Sequence, residues 1–283
     1  MRRRHESIQR VAALAMLLAW SGLAGCKGST ETAPVTQPDT GSAKALGLPG
    51  APAAADEFWS NALEGVYKSP LELNAQHKTE LQRGLHFTKL MNGDPKRREI
   101  ALTFDDGPHP DFTPKLLKIL AKYKAKATFF VVGMKAEQTP ELVTAEVAGG
   151  HSIANHTYHH VNLAKIPLRL VDAEITACGD VIRKITNQEC HLFRPPGGDY
   201  NRPIAETANA LGYTLVLWTD DPGDYASPGT NVIENRTLAK VSNGGIILIH
   251  DGVQQTVDML PQLIETLQAR GFKFVTIDEM MRK

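Results

Sequence analysis

Short apolar segments alternate with amphipathic helical patterns along residues 97–283, and this alternation constrains the fold more than any other feature of the sequence. Strands that alternate with helices form parallel sheets, because each helix returns the chain to the edge where the next strand begins. A segment of this length suits one α/β barrel and is somewhat short for a full eight-unit barrel. The predicted strands are 99–104, 127–132, 213–218, 246–250 and 274–277, and the predicted helices are 141–147, 171–185, 204–211 and 257–270.

Two adjacent aspartates end the first predicted strand. Asp105 and Asp106 follow the apolar residues of segment 99–104, and Gly107-Pro108 then turns the chain. Neighbouring side chains on an extended strand point to opposite faces, so both carboxylates reach one site only if the backbone bends between them. At such a bend one carboxylate can bind a cation while the other accepts a proton from water. A plain Asp-Asp-Gly turn that caps the strand is the alternative.

A second cluster, at residues 155–160, contains three histidines. His156 and His160 are four residues apart, so on a helical turn they lie on one face and can bind a single ion. His159 can share that face, and the spacing alone does not choose between His159 and His160. Two imidazoles and one carboxylate, with open positions for water, form the ligand set of a hydrolytic metal site. The alternative is a histidine-rich surface turn.

Residues 193–201 form a loop rich in proline and glycine, with Arg194 at its start. The prolines fix φ and remove N–H donors, while the glycines let the backbone come close to a ligand. An arginine that enters so rigid a loop can orient a carboxylate through a bidentate contact. An ordinary connection between a strand and a helix is the alternative.

His250 ends the apolar strand at 246–250, and a further acidic cluster lies at 221–225. This position puts the imidazole at the edge of the sheet rather than in its core. A histidine there, oriented by a carboxylate, can protonate a leaving group near neutral pH. A lone histidine after a strand is commonly structural, but five polar clusters at strand ends of one domain favour a shared site.

In this order the five clusters resemble the motifs of the NodB-like polysaccharide deacetylases, carbohydrate esterase family 4, over roughly residues 97–283. Any one motif is weak, whereas five in register are specific. The resemblance implies an irregular (β/α) barrel of about seven units and a metal-dependent enzyme that removes N-acetyl groups from a polysaccharide. The motifs are Thr103-Phe104-Asp105-Asp106-Gly107, His156-Thr157-Tyr158-His159-His160, Arg194-Pro195-Pro196-Gly197-Gly198, Asp221-Pro222-Gly223-Asp224-Tyr225 and Leu248-Ile249-His250.

The resemblance also implies a metal site and a base. Asp106, His156 and His160 match the family's metal ligands, and this match is what selects His160 over His159. Asp105 matches the general base. The implied cofactor is one divalent metal ion; the ligands suit zinc, and cobalt or nickel can occupy the same set.

Other matching residues orient catalytic groups or contact the substrate. His250 matches the general acid of the family. Arg194 matches the residue that orients the base, and Asp224 matches the residue that orients the acid. Leu248 matches an apolar residue that walls the pocket for the acetyl methyl group.

Two positions depart from the family pattern. Gly197 stands where many members carry an aromatic residue whose backbone N–H faces the oxyanion; glycine keeps the N–H and loses the aromatic wall. Tyr225 stands where many members carry a tryptophan that lines the groove. These departures leave the catalytic residues intact, but they do not identify which glycan is the substrate. Peptidoglycan N-acetylglucosamine is favoured as the substrate over N-acetylmuramic acid, chitin or poly-N-acetylglucosamine. The alternative to an enzyme is a non-catalytic, anchored glycan-binding protein.

Residues 1–25 resemble a bacterial lipoprotein signal peptide. Arginines come first, and the apolar segment 11–23 is too short for an ordinary membrane span. Leu23-Ala24-Gly25-Cys26 resembles a lipobox, in which Cys26 becomes the lipidated first residue; an uncleaved anchor is the alternative. The lysine after Cys26 favours an outer-membrane or cell-surface anchor in the cell envelope.

Three further segments follow the signal peptide. Residues 26–55 lack large apolar side chains almost entirely and predict a flexible tether. Residues 56–96 predict two short helices, interrupted near Ser69-Pro70, that pack on the catalytic domain and can flank its groove. Residues 97–283 are the predicted deacetylase domain.

Cysteine usage and charge agree with an exported protein. With Cys26 lipidated, Cys178 and Cys190 remain; a disulfide is expected in an oxidising envelope, with two buried free thiols as the alternative. The chain has 31 basic and 31 acidic residues, and the basic ones are not clustered into a stripe along the sequence. Nucleic acid is therefore not an expected partner. The expected partners are an N-acetylated polysaccharide and, through the lipid, a membrane; we expect a monomer.

Overall fold

Eight parallel strands form one sheet in the computed structural model, which describes residues 67–282. The central strands are almost completely buried, as expected for a parallel sheet covered on both faces. The strands in this range are β1 (Lys89–Leu90), β2 (Glu99–Gly107), β3 (Ala127–Val131), β4 (Ser152–Asn155), β5 (Leu192–Phe193), β6 (Thr214–Val216), β7 (Gly245–His250) and β8 (Lys273–Phe274).

The strand order shows that the sheet curls into a barrel. Neighbouring strands follow the order β1-β6-β5-β4-β3-β2-β7, and β8 pairs with the beginning of β2. The two edges meet where the chain after β6 contacts β7. There the backbone N–H of Thr219 donates to the carbonyl of Ile246 at 3.0 Å, and that of Leu248 donates to Asp220 at 2.9 Å. The predicted irregular (β/α) barrel is therefore confirmed.

Nine α-helices accompany these strands within residues 67–282. The longest of them buries Val171, Ile175, Cys178 and Ile182, at intervals of three and four residues that place one apolar face against the sheet. The helices are α1 (Pro70–Gln82), α2 (Thr113–Tyr123), α3 (Gly133–Gln138), α4 (Pro140–Ala148), α5 (Leu168–Thr186), α6 (Arg202–Ala210), α7 (Thr230–Lys240), α8 (Gln254–Ala269) and α9 (Ile277–Met281).

Alternate residues of the strands face two separate hydrophobic clusters. Ala101 of β2 and Leu248 of β7 belong to the cluster inside the barrel, whereas Ile249 belongs to the cluster between sheet and helices. The same alternation directs Asp105 and His250 inward, and these two residues are paired in register. Both lie at the carboxyl ends of their strands, which is the end of such barrels where catalytic residues are found.

The predicted strands and helices agree with the structure apart from their boundaries and one segment. The predicted strand at 274–277 is wrong in its second half, because β8 ends at Phe274 and α9 begins at Ile277. Thr276 caps this helix, and the side chain of Glu279 returns the hydrogen bond to the cap backbone. The elements outside the predicted strands and helices are β1, β4, β5, α2, α3 and α7.

The described part of the helical extension packs on the barrel. Ser69 caps α1, and Glu72 completes the capping box. The fully buried Leu73 joins the cluster inside the barrel. The predicted first helix lies outside the described residues, as do the signal peptide, Cys26 and the tether. In the part of the chain that the structure describes, no helix is both long and apolar enough to cross a membrane.

Cys178 and Cys190 are free thiols, so the expected disulfide is not formed between these two described residues. The Cys178 thiol donates to the carbonyl of Val131 at 3.4 Å, and that of Cys190 donates to Leu192 at 3.4 Å. Burial raises the pKa of both thiols, that of Cys190 to about 12. Both therefore stay protonated and act as packing groups, Cys178 fully buried and Cys190 partly buried.

Candidate active site

A β-bulge at the end of β2 brings two consecutive aspartates to one site. Asp105 pairs in register with Phe130 and Gly107 pairs with Val131, so Asp106 is an extra residue in β2. Asp106 has a left-handed φ of 69°, a conformation that aspartate adopts more readily than most residues. The bend that the sequence analysis requires is present, and it lets both carboxylates face the barrel mouth.

Asp106 lies beside His156 and His160. Its Oδ1 is 3.4 Å from Nε2 of His156 and 2.9 Å from Nε2 of His160. The ligand atoms of the three residues all lie within 4.8 Å of one another, which is close to the separation of ligands that bind one ion at about 2.0–2.2 Å. The buried Oδ1 of Asp106 has no hydrogen-bond partner among residues 67–282. A bound cation would satisfy it, so the residues fit a metal ion.

A second contact of His156 determines which ring nitrogen faces Asp106. Nδ1 of His156 donates to the backbone carbonyl of Arg194 at 2.8 Å. A carbonyl can only accept, so Nδ1 carries a proton, and in the neutral imidazole Nε2 is then the nitrogen with the free lone pair. The imidazole is 1% exposed. This arrangement is typical of histidines that bind metals, whose orientation is fixed by a hydrogen bond from the other nitrogen.

The histidine cluster forms an irregular turn, and the helical turn assumed from the spacing is wrong. Thr157 and His160 both have left-handed φ values, 66° and 59°. Oδ1 of Asn155 accepts from the N–H of Thr157 at 2.9 Å, and the Thr157 hydroxyl accepts from the N–H of His160 at 3.0 Å. These bonds fold the chain back, so that His156 and His160 approach Asp106 from the same side.

His159 contacts Glu174 on α5. Its Nδ1 is 2.6 Å from Oε1 of Glu174, and its backbone N–H donates to Oε2 at 2.9 Å. Of the two histidines that the spacing leaves open, the structure therefore places His160 beside Asp106.

Arg194 is fully buried and contacts Asp105 from inside the barrel. Its Nη1 donates to Oδ1 of Asp105 at 2.6 Å and to the Thr103 hydroxyl at 2.8 Å. Nε donates to the carbonyl of Val216 at 3.1 Å, and the guanidinium lies 3.9 Å from the centre of the Phe130 ring. The bidentate contact expected from the sequence is wrong, because only one guanidinium nitrogen reaches Asp105. The arginine still fixes one oxygen of this carboxylate.

His250 is held by Asp224. Nδ1 of His250 donates to Oδ1 of Asp224 at 2.7 Å, and its backbone N–H donates to Oδ2 at 2.7 Å. The hydroxyl of Thr256 also donates to Oδ2, at 2.5 Å. Burial acts to lower the pKa of His250, but the hydrogen bond and charge of Asp224 outweigh it and raise the pKa to about 9. The imidazole is therefore protonated at neutral pH.

The three residues predicted to contact substrate occupy different positions around the site. Leu248 is buried inside the barrel, two residues before His250 on β7. Tyr225 is 42% exposed, and its ring meets the His250 ring edge-on at a centroid distance of 5.5 Å. Gly197 has a left-handed φ of 61° and accepts a hydrogen bond from the backbone N–H of Lys68 at 2.9 Å.

One aromatic residue at the site was missed by sequence reasoning. Tyr67, which precedes α1, stacks on Tyr225 with ring centroids 4.5 Å apart and lies 6.3 Å from the His250 ring, edge-on. It belongs to the extension and to no motif, so motif spacing carries no signal for it. Two features of the sequence could have prompted a search for it: the missing aromatic side chain at Gly197, and the expectation that the extension flanks the groove.

Comparisons with known proteins agree with this geometry. The sequence model of the family described as polysaccharide deacetylase matches residues 92–216. A peptidoglycan-N-acetylglucosamine deacetylase of Bacillus cereus is 39% identical over 188 residues, which cover 65% of this chain and 88% of that protein. The chain belongs to the polysaccharide deacetylase family, carbohydrate esterase family 4. The enzyme is accordingly a polysaccharide N-deacetylase, which makes it a hydrolase.

Further relatives of this deacetylase show how varied the family is. A chitooligosaccharide deacetylase of Sinorhizobium fredii is 37% identical, over 61% of this chain and 87% of that protein. The solved structure of the Bc1960 peptidoglycan N-acetylglucosamine deacetylase superposes with a TM-score of 0.68 at 32% identity, over 71% of this chain and 95% of that one. A Bacillus anthracis protein described as a pseudoenzyme of the same family superposes with a TM-score of 0.67 at 26% identity, over 71% of both chains. Since the fold also occurs in a pseudoenzyme, the site residues of this chain carry the argument for catalysis.

Proposed function

We propose that this deacetylase removes N-acetyl groups from N-acetylglucosamine residues of peptidoglycan, with one divalent metal ion held by Asp106, His156 and His160. The observation that carries the proposal is the convergence of these three ligand atoms within 4.8 Å at the barrel mouth that also holds Asp105 and His250. The Bacillus cereus relative and the Bc1960 structure, both named for peptidoglycan N-acetylglucosamine, support this choice of substrate.

Zinc is the ion we propose for the site, because two imidazoles and one carboxylate with open positions suit it well, although cobalt and nickel accept the same donors. When bound, such an ion acts as a Lewis acid that makes water more acidic and polarises a carbonyl. Its three proposed ligands are all presented by short, rigid connections: the bulge at Asp106 and the turn from His156 to His160.

Asp105 is the proposed general base. Arg194 holds its Oδ1 at 2.6 Å, and its Oδ2 lies 3.6 Å from Nε2 of His156, beside the proposed metal site. The carboxylate accepts one proton from water as the water oxygen adds to the acetamide carbonyl carbon. The backbone N–H of Gly197 is the proposed donor to the oxyanion that develops on the carbonyl oxygen.

His250 is the proposed general acid. Asp224 keeps its imidazole protonated, and the protonated ring donates to the nitrogen of the glycan as the bond between that nitrogen and the acetyl carbon breaks. The products are a free amine on the sugar and acetate. Leu248 and Tyr225 are the proposed contacts for the acetyl methyl group and for the sugar chain. No covalent bond to the protein is required.

The same proposal locates the enzyme in the cell envelope. Its substrate class lies there, and the proposed lipid on Cys26 with the tether at 26–55 would place the domain at 97–283 next to the glycan. The relatives that are named for peptidoglycan support an envelope function. Cell fractionation would test the anchor. We expect the unchanged protein in the membrane fraction and Cys26→Ser in the soluble fraction.

Acetate release tests the activity. The purified full-length protein is stripped with a chelator, reloaded with zinc and incubated with chitopentaose and with purified sacculi. We expect acetate from both, and glucosamine in place of N-acetylglucosamine in digested sacculi. Acetate from chitopentaose alone would overturn the choice of peptidoglycan. Binding to sacculi without acetate release would instead support the non-catalytic alternative.

A further inference from the structure

We propose that Tyr67, from the helical extension, pairs with Tyr225 to form the aromatic wall on which a sugar ring of the substrate stacks, a specificity role that rests on the proposed glycan deacetylation. Tyr67 lies outside the residues 92–216 that match the family model. This wall takes the place of the aromatic side chain that Gly197 lacks.

The positions of the rings carry the inference. Tyr67 and Tyr225 are nearly parallel, with an interplanar angle of 9° and centroids 4.5 Å apart. Both rings also meet the imidazole of His250 edge-on, at centroid distances of 6.3 Å and 5.5 Å. Despite these contacts Tyr67 is 38% exposed and Tyr225 is 42% exposed. A pair of aromatic rings that is open to solvent beside the proposed acid is an available surface for the apolar face of a sugar.

The segment that carries Tyr67 is fastened to the active-site loop. The backbone N–H of the next residue, Lys68, donates to the carbonyl of Gly197 at 2.9 Å. The ammonium group of Lys68 lies 3.0 Å from Oδ1 of Asp199 and donates to Oε1 of Gln76 at 2.8 Å. Two of these contacts, to Gly197 and Asp199, reach the loop in which Gly197 has no side chain, and the third reaches Gln76 of α1. The ring of Tyr67 therefore occupies a defined position before substrate arrives.

The electrostatic surroundings of Tyr67 suit a neutral, amphipathic contact. Burial, with smaller contributions from Asp106 and other nearby acidic groups, raises the pKa of Tyr67 to about 12. The phenol is therefore uncharged at neutral pH. A neutral ring loses little conformational freedom on binding and offers a broad apolar face, which is the type of surface that proteins use for ligands with both apolar and polar groups.

Steady-state kinetics on chitopentaose test the proposal with four full-length variants: Tyr67→Ala, Tyr67→Phe, Tyr225→Ala and the control Tyr123→Ala. Tyr123 ends α2 and belongs to none of the site motifs; its hydroxyl donates to Glu265 of α8 at 2.6 Å. We expect Tyr67→Ala to raise KM about three- to tenfold, the range for loss of one aromatic contact, with a smaller change in kcat. Tyr67→Phe keeps the ring and should therefore show only a small part of the rise in KM seen in Tyr67→Ala, whereas the control Tyr123→Ala should match the unchanged enzyme.

A binding measurement makes this test independent of turnover. Calorimetric titration of chitopentaose into Asp105→Asn and into Asp105→Asn with Tyr67→Ala should show weaker binding to the double variant by a similar factor. Because the two rings stack, the double variant Tyr67→Ala with Tyr225→Ala should raise KM by less than the product of the two single increases.

Four results would overturn the proposal. Unchanged KM and affinity in Tyr67→Ala would show that Tyr67 does not contact the substrate. A loss of affinity in Tyr67→Phe as large as in Tyr67→Ala would assign the effect to the hydroxyl instead of the ring. Faster turnover by Tyr67→Ala would show that the ring blocks the groove, and an equal effect of Tyr123→Ala would show a loss of stability alone. An unchanged enzyme that binds chitopentaose but releases no acetate would refute the proposed function, while the calorimetric arm would still test the wall.

Discussion

Nη1 of Arg194 donates a hydrogen bond to Oδ1 of Asp105 across 2.6 Å, in a part of the barrel where the arginine has no contact with solvent. The neighbouring Asp106 has no such donor within the described residues, and its Oδ1 faces the imidazoles of His156 and His160. Two consecutive aspartates thus have different partners: one is tied to a fixed cation of the protein and the other is open to a cation from solution.

This difference predicts opposite effects of substitution at the two positions. Asp105→Asn should keep the bound metal and lose activity by about 10²–10⁴-fold, because the amide cannot accept a proton from water. Asp106→Ala should lose the metal, because two histidines remain as the only proposed ligands. Metal content by atomic emission and acetate release, measured on the same preparations, check both results. Equal metal content in the two variants would contradict the assigned roles.

The two adjacent histidines provide a second, closely matched comparison. His160→Ala should weaken metal binding by at least an order of magnitude, since Nε2 of His160 lies 2.9 Å from Oδ1 of Asp106. His159→Ala should leave metal binding almost unchanged, because that side chain contacts Glu174. Competition with a chromogenic chelator gives both affinities. Loss of metal in His159→Ala at unchanged melting temperature would refute the assignment of His160.

The sequence predicts the parts of the fold that depend on local pattern. The apolar segments place Asp105 and His250 at the carboxyl ends of two strands, as the structure confirms; that these strands are neighbours and pair the two residues in register is a finding of the structure. The turn from His156 to His160 is different, because its left-handed residues are held by side-chain hydrogen bonds that no periodicity encodes.

Contacts between distant segments do not follow from local pattern: the pairing of Arg194 with Asp105 is expected from the family resemblance alone, and its geometry is not. Arg194 reaches Asp105 through Nη1 alone, because its Nε bonds to the carbonyl of Val216 and its Nη2 has no partner among the described residues. Tyr67 meets Tyr225 only because the extension packs on the barrel, and the two residues are separated by most of the domain. Such pairings follow from tertiary packing, which cannot be deduced from the local pattern of a single sequence.

The pairing of His250 with Asp224 predicts how activity depends on pH. The folded-state pKa of His250 is raised from its ordinary 6.5 to about 9, so the protonated acid persists through neutral pH and is lost as the pH rises through about 9. Activity should therefore fall on the alkaline side near this value. Asp224→Asn should move this alkaline limb to lower pH and reduce kcat, because the charge that stabilises the imidazolium is gone.

The pH dependence of kcat/KM, recorded in buffers that do not chelate the metal ion, measures this shift of the alkaline limb. Thr237→Ser serves as a control, because its buried hydroxyl donates to Ile233 on α7, and it should leave the alkaline limb in place. An alkaline limb at the same pH in Asp224→Asn would show that another group titrates there.

Gly198 joins the geometry of the active-site loop to the packing of the core. It has a φ of +68°, and a Cβ atom added to it would lie 2.6 Å from Cη2 of the buried Trp218 and 3.3 Å from Leu73. Gly212 has a similar φ of +85° but open space around its Cβ position. Gly212→Ala should therefore cost only the left-handed backbone, about 1–2 kcal/mol. Gly198→Ala should cost about 1–3 kcal/mol more, because a side chain is forced into a filled core.

Urea denaturation followed by tryptophan fluorescence gives both free energies of unfolding. Because Gly198 follows Gly197 in the loop that begins at Arg194, Gly198→Ala should also reduce kcat, whereas Gly212→Ala should not. Equal destabilisation of the two variants would mean that the contact with Trp218 relaxes without cost, and that the glycine at 198 is required for its backbone conformation alone.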